Sequence, residues 1–455
     1  MTMNETKTIE VLGAGESGVG AAILAADRGY EVYVSDSGAI ADKYRRMLEA
    51  EGIPYQEYGH AMERILRADM VVKSPGIPDT APVVKAVREA GIPVLSEIEF
   101  AGRFSRSFMI CITGSNGKTT TTMLTHHILC AAGIDASLAG NIGKSLALQV
   151  ARDPHDVYVI ELSSFQLDNM YDFRADIAVL MNITPDHLDR YDHRMENYTA
   201  AKFRILQNMG PEQQFIYWKD DPVITSWLAA HPADVTALPF AEHEEPGAAS
   251  YVDAEGIMHI GSDKDAFTMP RAELSLKGVH NLYNSMAAAT VGRLMGVKPG
   301  VMRRALSDFG GVEHRLEYVC DVDGVRYIND SKATNVASTY YALGSMTAPT
   351  VLILGGKDKG NDYSEIDALV DEHVHTIVAM GVDNAKIVAH FGPRIRVIDT
   401  HSLDEALKAC REASRPGDTV LLSPCCASFD LFKSYEDRGE RFKAGVRAMA
   451  GKEEA

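Results

Sequence analysis

Hydrophobic residues between Thr8 and about Ser96 occur in short runs that are separated by stretches with helical spacing. The runs read IEVLG, EVYVSD, DMVVKSPG and IPVLS. Short apolar runs that alternate with helices are typical of parallel strands joined by crossover helices. The pattern therefore predicts a Rossmann-like α/β domain over residues 1–96.

The alternation begins again at Phe108, which indicates a second α/β domain. FMICITG is followed by a helix after Lys118, and then come VYVIELSS and ADIAVLMNIT. These runs are almost continuously apolar, as expected of strands in a mostly parallel sheet covered on both faces. Periodicity is weak from about Thr236 to Leu276 and predicts no element there, whereas GVHNLYNSMAAATVGRLMG predicts one helix. We assign this domain to residues 97–311.

The last part of the chain predicts a third α/β domain, again Rossmann-like, over residues 312–455. GVEHRLEYVCDVDGVRYINDSKATN is typical of a hairpin, and the runs TVLILGG, TIVAMG, IRVIDT and TVLLSP then alternate with helices. Three domains agree with the length of 455 residues, because a domain contains roughly 150 residues.

The composition fits a soluble, cytoplasmic protein without membrane insertion. Hydrophobic residues make up 46% and charged residues 24% of the chain, and no apolar run reaches the roughly 18 residues of a membrane span. The net charge of −18 gives no attraction to nucleic acid, so a phosphate ligand must be held by local amides, lysines or a metal. The six cysteines form no C-x-x-C pair, which indicates reduced thiols. The start, MTMNETKTIE, shows no secretory signal.

The stretch GAGESG, Gly13 to Gly18, matches G-x-G-x-x-G between a strand and a helix. Asp36 ends the next strand at the distance expected of a ribose-binding acid. Ser74 follows a later strand of the same sheet, at the edge where ligands of open sheets bind. The glycines report only a close approach of the backbone, so the motif leaves open NAD, another diphosphate or a structural turn.

The stretch TGSNGKT, Thr113 to Thr119, has the Gly-Lys-Thr end of a phosphate-binding loop, although a strict Walker loop would have glycine at Ile112. Its small residues let backbone amides face a phosphate, Lys118 can reach the outer phosphates, and the Thr119 hydroxyl suits Mg²⁺. A plain strand-to-helix turn needs no Lys-Thr pair at the helix start. We therefore predict a phosphate-binding site here.

Three further residues of the central domain have a structural as well as a functional interpretation. Glu161 and His187 follow buried strands on the edge that carries the loop, where they could hold a metal or simply cap the strands. Lys202 lies on the predicted helix MENYTAAKFRILQN, and most helical lysines are solvated. Spacing alone does not decide between these interpretations.

The polar residues beyond the central strands also have both a ligand-binding and a structural interpretation. Asn281 shares a helix face with His280 and Asn284, which fits a ligand site or helix capping. The DSKATN stretch that begins at Asp330 combines an acid, a cation and small hydroxyls. Lys357 and Lys359 follow the Gly-Gly pair after a predicted strand. Both segments could bind anions, and each alone could be an ordinary loop.

Taken together, these motifs and their order resemble the Mur ligase family over almost the whole chain. The motifs are TGSNGKTTTT, ELSSFQL, NITPDHLDRY, the AAK of Lys202, HNLYN, HRLE, NDSKATN and SPCCASFDLF. The phosphate loop of this family has the form T-G-x-N-G-K-[ST], which accounts for Ile112. The first domain with its SPGI turn, DSKATN and SPCCASFDLFKSYEDRG are most similar to the family members that add D-glutamate.

The resemblance implies an ATP-dependent amide ligase of peptidoglycan synthesis. The terminal carboxylate of UDP-N-acetylmuramoyl-L-alanine would take the γ-phosphoryl group of ATP, and the amine of D-glutamate would attack the acyl phosphate. Phosphorylation turns a carboxylate oxygen into a leaving group, and cations stabilise the charge that develops. The implied partners are these small molecules and not a nucleic acid, and we expect a monomer.

The resemblance also implies roles for individual residues. The loop would hold ATP through Gly114, Ser115, Asn116, Gly117, Lys118, Thr119 and Thr120, with one Mg²⁺ on Thr119 and Glu161. A second Mg²⁺ would lie on His187 and carbamylated Lys202, and Asn141 would touch the substrate near its reacting end. Asn281 and Asp330 would contact adenine or ribose, with Arg315 near the phosphates. The UDP part would bind Glu16, Ser17, Asp36, Ser37 and Ser74, and D-glutamate would bind Lys332, Thr334, Lys359, Ser428 and Tyr435.

Two departures and three rival functions remain at this point. Cys425 stands where a small residue is expected, and Lys357 competes with the favoured Lys359 for the same role. A sibling ligase, which adds another amino acid or extends folate with glutamate, would share the ATP machinery. An NAD-dependent oxidoreductase leaves Lys118 unexplained. A regulatory protein without catalysis would be expected to lack Glu161, His187 or Lys202, and all three are present.

Overall fold

The computed structural model describes residues 7–261, 266–358 and 360–451. Within these ranges the strands form three sheets. The chain divides into two compact units. The first unit comprises the residues up to Leu274 together with Tyr283–Asp308, and the second comprises Ser275–Leu282 and the chain from Phe309 on.

The first sheet is parallel, with the order β3-β2-β1-β4-β5. The chain moves outward from β1 to β3 and then returns to β4, so the strand order reverses between β1 and β4. A crevice at such a reversal is where open α/β sheets bind ligands. The elements are β1 (Thr8–Leu12), α1 (Glu16–Asp27), β2 (Glu31–Ser35), α2 (Asp42–Ala50), β3 (Tyr55–Gln56), α3 (Met62–Ile65), β4 (Met70–Lys73), α4 (Pro82–Glu89), β5 (Val94–Leu95) and α5 (Glu97–Gly102).

The central sheet has the order β14-β13-β12-β11-β10-β9-β6-β8-β7 and is parallel from β7 to β12. Its inner strands are buried along their length, because helices cover both faces. The strands are β6 (Phe108–Thr113), β7 (Ala136–Gly140), β8 (Val157–Glu161), β9 (Ile177–Leu180), β10 (Gln214–Trp218), β11 (Thr236–Phe240), β12 (Ser250–Val252), β13 (Ile257–Ile260) and β14 (Phe267–Pro270).

The helices between Lys118 and Asp308 connect or follow these strands. They are α6 (Lys118–Ala131), α7 (Leu146–Arg152), α8 (Ser164–Leu167), α9 (Met195–Phe203), α10 (Pro222–Ala230), α11 (Val279–Leu294) and α12 (Pro299–Asp308). The expected helix over GVHNLYNSMAAATVGRLMG is thus confirmed as α11. The stretch that predicted no element contains β11 and the antiparallel strands β12, β13 and β14. β12 to β14 have only three or four residues each, too few for a clear period.

The third sheet has the order β15-β16-β20-β17-β18-β19. β15 and β16 form the expected antiparallel hairpin, and the remaining pairs are parallel. The elements are β15 (Glu317–Val322), β16 (Val325–Asn329), α13 (Val336–Leu343), β17 (Thr350–Gly355), α14 (Asp367–His373), β18 (Val374–Met380), α15 (Ala385–Phe391), β19 (Arg396–Thr400), α16 (Leu403–Ala413), β20 (Thr419–Cys425) and α17 (Tyr435–Met449).

The expected fold class, three α/β domains with mostly parallel sheets, is confirmed. The domain boundaries after residues 96 and 311 stay a prediction. One hydrophobic core extends from the first sheet to the central sheet and includes Val34, Phe100 and Ile160. Within the described ranges, no helix is both long and apolar enough to cross a membrane.

Candidate active site

The phosphate loop joins β6 to α6, and two of its glycines are required by its backbone. Gly114 and Gly117 have φ values of +150° and +82°, and a side chain is strained at such angles. A Cβ atom on Gly117 would also lie 2.4 Å from the Asn284 Oδ1 atom. Ile112 is buried inside β6 and pairs with Glu161 in β8. The position of the absent Walker glycine is therefore a strand position in this protein.

Residues that follow β9 hold the loop from one side. The Ser115 N–H donates to the Asn182 carbonyl, and the Asn116 N–H donates to the Asn182 Oδ1 atom, both at 2.8 Å. The Ser115 hydroxyl donates to the Thr184 carbonyl at 2.8 Å and accepts from the Thr184 N–H at 2.9 Å. The sequence analysis missed Asn182 and Thr184, although both are polar residues directly after a buried strand.

Lys118 begins α6 and folds back over the loop. Its ammonium group donates to the Gly114 carbonyl at 2.8 Å and to the Ser115 carbonyl at 2.7 Å. Thr119 and Thr120 follow in the first turn of the helix and are buried. The Thr120 hydroxyl has no hydrogen-bond partner among the described residues. The loop therefore presents a cation and hydroxyl groups at a helix N-terminus, an arrangement that suits phosphate.

Glu161 ends β8, directly beside the loop strand β6. Its side chain is buried, and its Oε1 atom accepts a hydrogen bond from the Asn141 amide at 2.7 Å. The Oε2 atom is buried without a hydrogen-bond partner among the described residues. A buried carboxylate oxygen without a donor is costly, and a hard cation such as Mg²⁺ would satisfy it. The structure thus pairs Asn141 with Glu161.

Lys202 is not a solvated helical lysine. The side chain lies in α9 with 1% of its surface exposed, and its Nζ atom donates to the Gly114 carbonyl at 2.7 Å. The Tyr198 ring lies under the amine, 4.6 Å from ring centre to Nζ, and its hydroxyl is 3.1 Å from the Ser115 Oγ atom. Lys202 and Lys118 therefore both donate to the Gly114 carbonyl. Tyr198 was not among the predicted site residues.

Burial lowers the pKa of Lys202 well below its usual value, and the nearby charge of Lys118 lowers it further. The carboxylates of Asp186, Asp168 and Glu161 oppose these effects and are the weaker influence. A buried amine without an adjacent carboxylate favours the neutral form. Burial thus favours the uncharged form of this amine.

His187 lies in the loop that follows β9, at the start of a short 3-10 turn over Leu188–Arg190. Its φ value of +52° is in the left-handed region. The ring packs edge-on against Phe165 with 5.2 Å between ring centres, and its Nε2 atom is 3.6 Å from the Asp186 carboxylate. The imidazole is exposed, with an aromatic ring and a carboxylate beside it.

In the first domain, the GAGESG turn lies at the reversal between β1 and β4. Gly13 has a φ of +91°, and a Cβ atom there would lie 2.6 Å from the Ser74 Oγ atom. The Asp36 carboxylate accepts hydrogen bonds from the N–H groups of Ala14 and Gly38, both at 2.8 Å. Asp36 therefore fixes this turn, and its expected contact with a uracil stays a prediction.

The other expected residues of this domain surround the same turn. Glu16 begins α1, where its carboxylate accepts from the Tyr44 hydroxyl at 3.1 Å and pairs with Lys43 at 3.2 Å. Ser17 is the next residue of the helix, and Ser37 is exposed after β2. The structure thus brings all five expected UDP-binding residues to one edge of the first sheet.

In the third domain, Asp330 is buried after β16. Its carboxylate accepts from the Leu316 N–H at 3.2 Å and from the Ser423 hydroxyl at 2.8 Å. Burial raises the pKa of Asp330 to about 6, and the charge of Arg315 opposes this shift. Within the same unit, the Asn281 amide donates to the Lys277 carbonyl at 2.8 Å.

The described residues expected to bind D-glutamate lie in the third domain, on loops or, for Tyr435, at the start of α17. The Lys332 ammonium lies over the Tyr435 ring at 5.2 Å from its centre, and the Thr334 N–H donates to the Lys332 carbonyl at 3.0 Å. Ser428 is buried after β20. Cys425 has a φ of +60° and is buried with Cys426 in the core of this domain. Lys359 lies outside the described residues.

Comparison with known proteins agrees with this architecture. Three family descriptions match: the Mur ligase MurD-like N-terminal domain over residues 7–96, the Mur ligase middle domain over 112–292, and the Mur ligase glutamate ligase domain over 314–426. The UDP-N-acetylmuramoylalanine--D-glutamate ligase of Bacteroides fragilis is 57% identical over 97% of this chain and its own full length. The chain belongs to the Mur ligase family.

Further Mur ligases support this placement. The UDP-N-acetylmuramoylalanine--D-glutamate ligase of Porphyromonas gingivalis is 54% identical over 96% of this chain and 98% of its own. The crystal structure of UDP-N-acetylmuramate-alanine ligase from Thermotoga maritima shares the fold, with a TM-score of 0.62, 17% identity and coverage of 98% of this chain and 100% of that one. Relatives of this kind leave the oxidoreductase hypothesis without support.

Proposed function

We propose that this Mur ligase joins D-glutamate to UDP-N-acetylmuramoyl-L-alanine with consumption of ATP in peptidoglycan synthesis. Relatives that are more than half identical over nearly their full length are named for this reaction. The observation that carries the chemistry is the convergence of Lys118 and Lys202 on the Gly114 carbonyl. It places the Lys118 cation, the Lys202 amine and backbone amides where a phosphoryl group would be transferred.

The reaction has two steps with balanced bonds. A carboxylate oxygen of the muramoyl substrate attacks the γ-phosphorus of ATP, the bond to the β-phosphate oxygen breaks, and ADP leaves. The amine of D-glutamate then attacks the acyl phosphate, loses a proton and expels inorganic phosphate. The loop amides and Lys118 hold the phosphates and stabilise the charge that develops on them. Asn141, next to Glu161, would touch the substrate near its reacting carboxylate.

The residues at the sheet edge fit Mg²⁺. The unpartnered Oε2 atom of Glu161 and the Thr119 hydroxyl are the hard oxygen ligands that this cation prefers. His187 and a modified Lys202 would hold a second ion. When bound, Mg²⁺ would neutralise phosphate charge and orient the reacting oxygens.

We propose that Lys202 carries a carbamate. An ammonium group cannot ligate a metal, whereas the neutral amine favoured by burial can attack the carbon of CO₂. A nitrogen–carbon bond forms, one amine proton is lost to solvent, and the lysine ends in an anion with two oxygens. The negative charge would also relieve the repulsion between Lys202 and Lys118.

The outer domains would supply the remaining contacts, as the family resemblance implies. In the first domain the backbone of the GAGESG turn suits a diphosphate without the help of a cation. We assign UDP binding to Glu16, Ser17, Asp36, Ser37 and Ser74, ATP binding to Asn281, Arg315 and Asp330 in addition to the loop, and D-glutamate binding to Lys332, Thr334, Ser428, Tyr435 and a basic residue after Gly356. We expect the reaction in the cytoplasm, where ATP is supplied, and by a monomer.

The test is phosphate release from ATP in the presence of UDP-N-acetylmuramoyl-L-alanine and one amino acid at a time. D-Glutamate should support turnover, and L-glutamate, L-lysine and glycine should not. Turnover with a different amino acid would assign the chain to a sibling ligase. Titration with UDP and with NADH tests the first domain separately, and tight binding of NADH without binding of UDP would contradict the proposal.

A further inference from the structure

The segment Asn182–Thr184 forms one wall of the phosphate loop. Asn182 and Thr184 bind Ser115 and Asn116 through their backbone and side-chain groups. Ile183 lies between them with its side chain buried. Its N–H group does not bind the loop and donates instead to the Asp221 carboxylate at 2.8 Å.

Asp221 uses both carboxylate oxygens for different purposes. The Oδ2 atom accepts from the Ile183 N–H, and the Oδ1 atom accepts from the N–H groups of Val223 at 2.9 Å and Ile224 at 3.0 Å. The second set caps the N-terminus of α10. The side chain has 3% of its surface exposed, and these three donors offset the cost of burying its charge.

We propose that Asp221 is a positioning residue for the phosphate loop. Asp221 holds Ile183, and the two neighbours of Ile183 hold Ser115 and Asn116. If Asp221 served only as a helix N-cap, serine or asparagine would serve equally well. Only a carboxylate of this length accepts from the helix with one oxygen and from Ile183 with the other. The proposal rests on the proposed function only in taking the loop to bind nucleotide.

Two variants separate the helix cap from the hold on the loop. Asp221→Asn keeps one oxygen for the cap and turns an N–H donor toward the Ile183 N–H. Asp221→Ser keeps a capping oxygen that is too short to reach Ile183 as well. Both variants should raise the KM for ATP and the Kd of ADP with Mg²⁺ about tenfold, the effect of one lost charged hydrogen bond. The KM for D-glutamate should change by less than about twofold, because Asp221 lies in the other unit.

Asp220→Asn is the matched control. In the unmodified protein, the Asp220 carboxylate accepts from the Glu242 N–H at 2.8 Å and from the Trp218 indole at 3.1 Å, and not from the segment Asn182–Thr184. Its Kd for ADP should equal that of the unmodified protein. If both Asp221 variants melt normally and bind ADP as the unmodified protein does, Asp221 is a helix cap and the proposal is overturned.

If the variants fail to fold, hydrogen exchange on the unmodified protein tests the same proposal. ADP with Mg²⁺ should slow exchange in the peptide that contains Ile183 together with the peptide that contains Ser115. Slowing at Ser115 alone would overturn the proposal. These readouts use nucleotide only, so absence of D-glutamate-dependent turnover in the unmodified protein would contradict the proposed function and leave the result for Asp221 standing.

Discussion

Two glycine-rich turns in this chain join a buried strand to a helix in the same way but differ in what surrounds them. The first turn, residues 13–18, connects β1 to α1, and the second, residues 114–117, connects β6 to α6. Each contains glycine at a positive φ, as Gly13 and Gly117 show. Each also has a glycine without room for a side chain, since a Cβ atom on Gly18 would lie 1.8 Å from the Gly13 carbonyl oxygen and one on Gly117 would lie 2.4 Å from the Asn284 Oδ1 atom.

The side chains that contact the two turns differ, with carboxylates at the first turn and lysines at the second. Carboxylates surround the first turn: Asp36 accepts from its backbone and Glu16 begins its helix. Burial raises the pKa of Glu97 to about 7, and the charge of Glu16 contributes to this shift. Lysine nitrogens lie against the second turn, where the Lys118 ammonium group and the buried amine of Lys202 both donate to the Gly114 carbonyl.

The difference shows what the glycine pattern does and does not encode. The pattern specifies that the backbone can approach a phosphate. The surrounding charge specifies whether that phosphate is only held or also reacts, because a phosphoryl group in transfer needs cations and a bound diphosphate does not.

The largest expected effect is that of replacing Lys202 at the second turn. Lys202→Ala should lower D-glutamate-dependent phosphate release about a thousandfold, the upper range for loss of one charge-stabilising group. Added acetate should restore part of the rate by supplying carboxylate oxygens. Lys85→Ala, on the exposed side of α4, is the matched control and should keep its activity. Near-normal turnover of Lys202→Gln would exclude the carbamate.

The next largest effects are expected when the glycines of the two turns are replaced. Gly117→Ala should lower the free energy of unfolding by about 2 kcal/mol, because it combines a strained φ with a collision against Asn284. Gly117→Ala should also weaken ATP binding and leave UDP binding unchanged. Gly18→Ala should weaken UDP binding and leave ATP binding unchanged. Thermal unfolding and titration with each nucleotide measure these effects.

Gly15→Ala is the internal control for both variants. Gly15 has an ordinary φ of −84°, and no described atom lies within 4 Å of a Cβ atom built there. Its unfolding free energy should change by well under 1 kcal/mol. If Gly15→Ala destabilised the protein as much as Gly18→Ala, the close approach of the backbone would not be the reason for the glycines.

The burial of Glu97, at the start of α5, predicts a pH effect on stability. Because the pKa of Glu97 is raised to about 7, its contribution to stability is fully present below pH of about 4.5 and is lost as the pH rises through about 7. Glu97→Gln stays neutral and can still accept from Ser145 and Ala147. The variant should therefore gain about 2 kcal/mol relative to the unmodified protein between pH 5 and 8.5.

Denaturant unfolding at several pH values measures this gain. Glu89→Gln, at the exposed end of α4, should show no such trend. An unfolding difference for Glu97→Gln that stays flat from pH 5 to 8.5 would mean that Glu97 is ionised throughout and that burial does not raise its pKa.

The smallest effect concerns the residue that fixes the first turn. Asp36→Asn retains one acceptor and places an N–H group against either the Ala14 or the Gly38 N–H. The KM for the UDP-linked substrate should rise about tenfold. The KM for ATP should stay the same. A rise in both constants would show that the two turns are coupled rather than independent.

Sequence reasoning found the parts of the site that lie in short contiguous motifs. The positions of Gly117, Lys118 and Glu161 were predictable because strand ends and helix starts are local features, and parallel strands bring their ends to one edge. The function of Lys202 came from the family resemblance alone. Its burial could not be read from a helix that also carries exposed charges.

The residues that hold the site together were not predictable in the same way. Asn182 contacts Asn116 across 66 positions of sequence, and the Ser115 and Tyr198 hydroxyls meet across 83. Such pairs depend on β6 lying next to β9, and strand order is not encoded in the pattern of either strand. Asp36 was expected to accept hydrogen bonds from a uracil or from neighbouring groups; its oxygens accept from the Ala14 and Gly38 N–H groups, and the contact with a uracil stays a prediction.

The burial of Lys202 has a consequence for its reactivity toward small electrophiles. A neutral amine is the most nucleophilic form of lysine, yet only 1% of the Lys202 side chain is exposed, so a small reagent should reach the nitrogen more readily than a large one. Bulky acylating and arylating reagents should label the exposed lysines of the chain first and Lys202 last. The packing that favours the neutral amine should therefore also restrict its reaction partners by their molecular size.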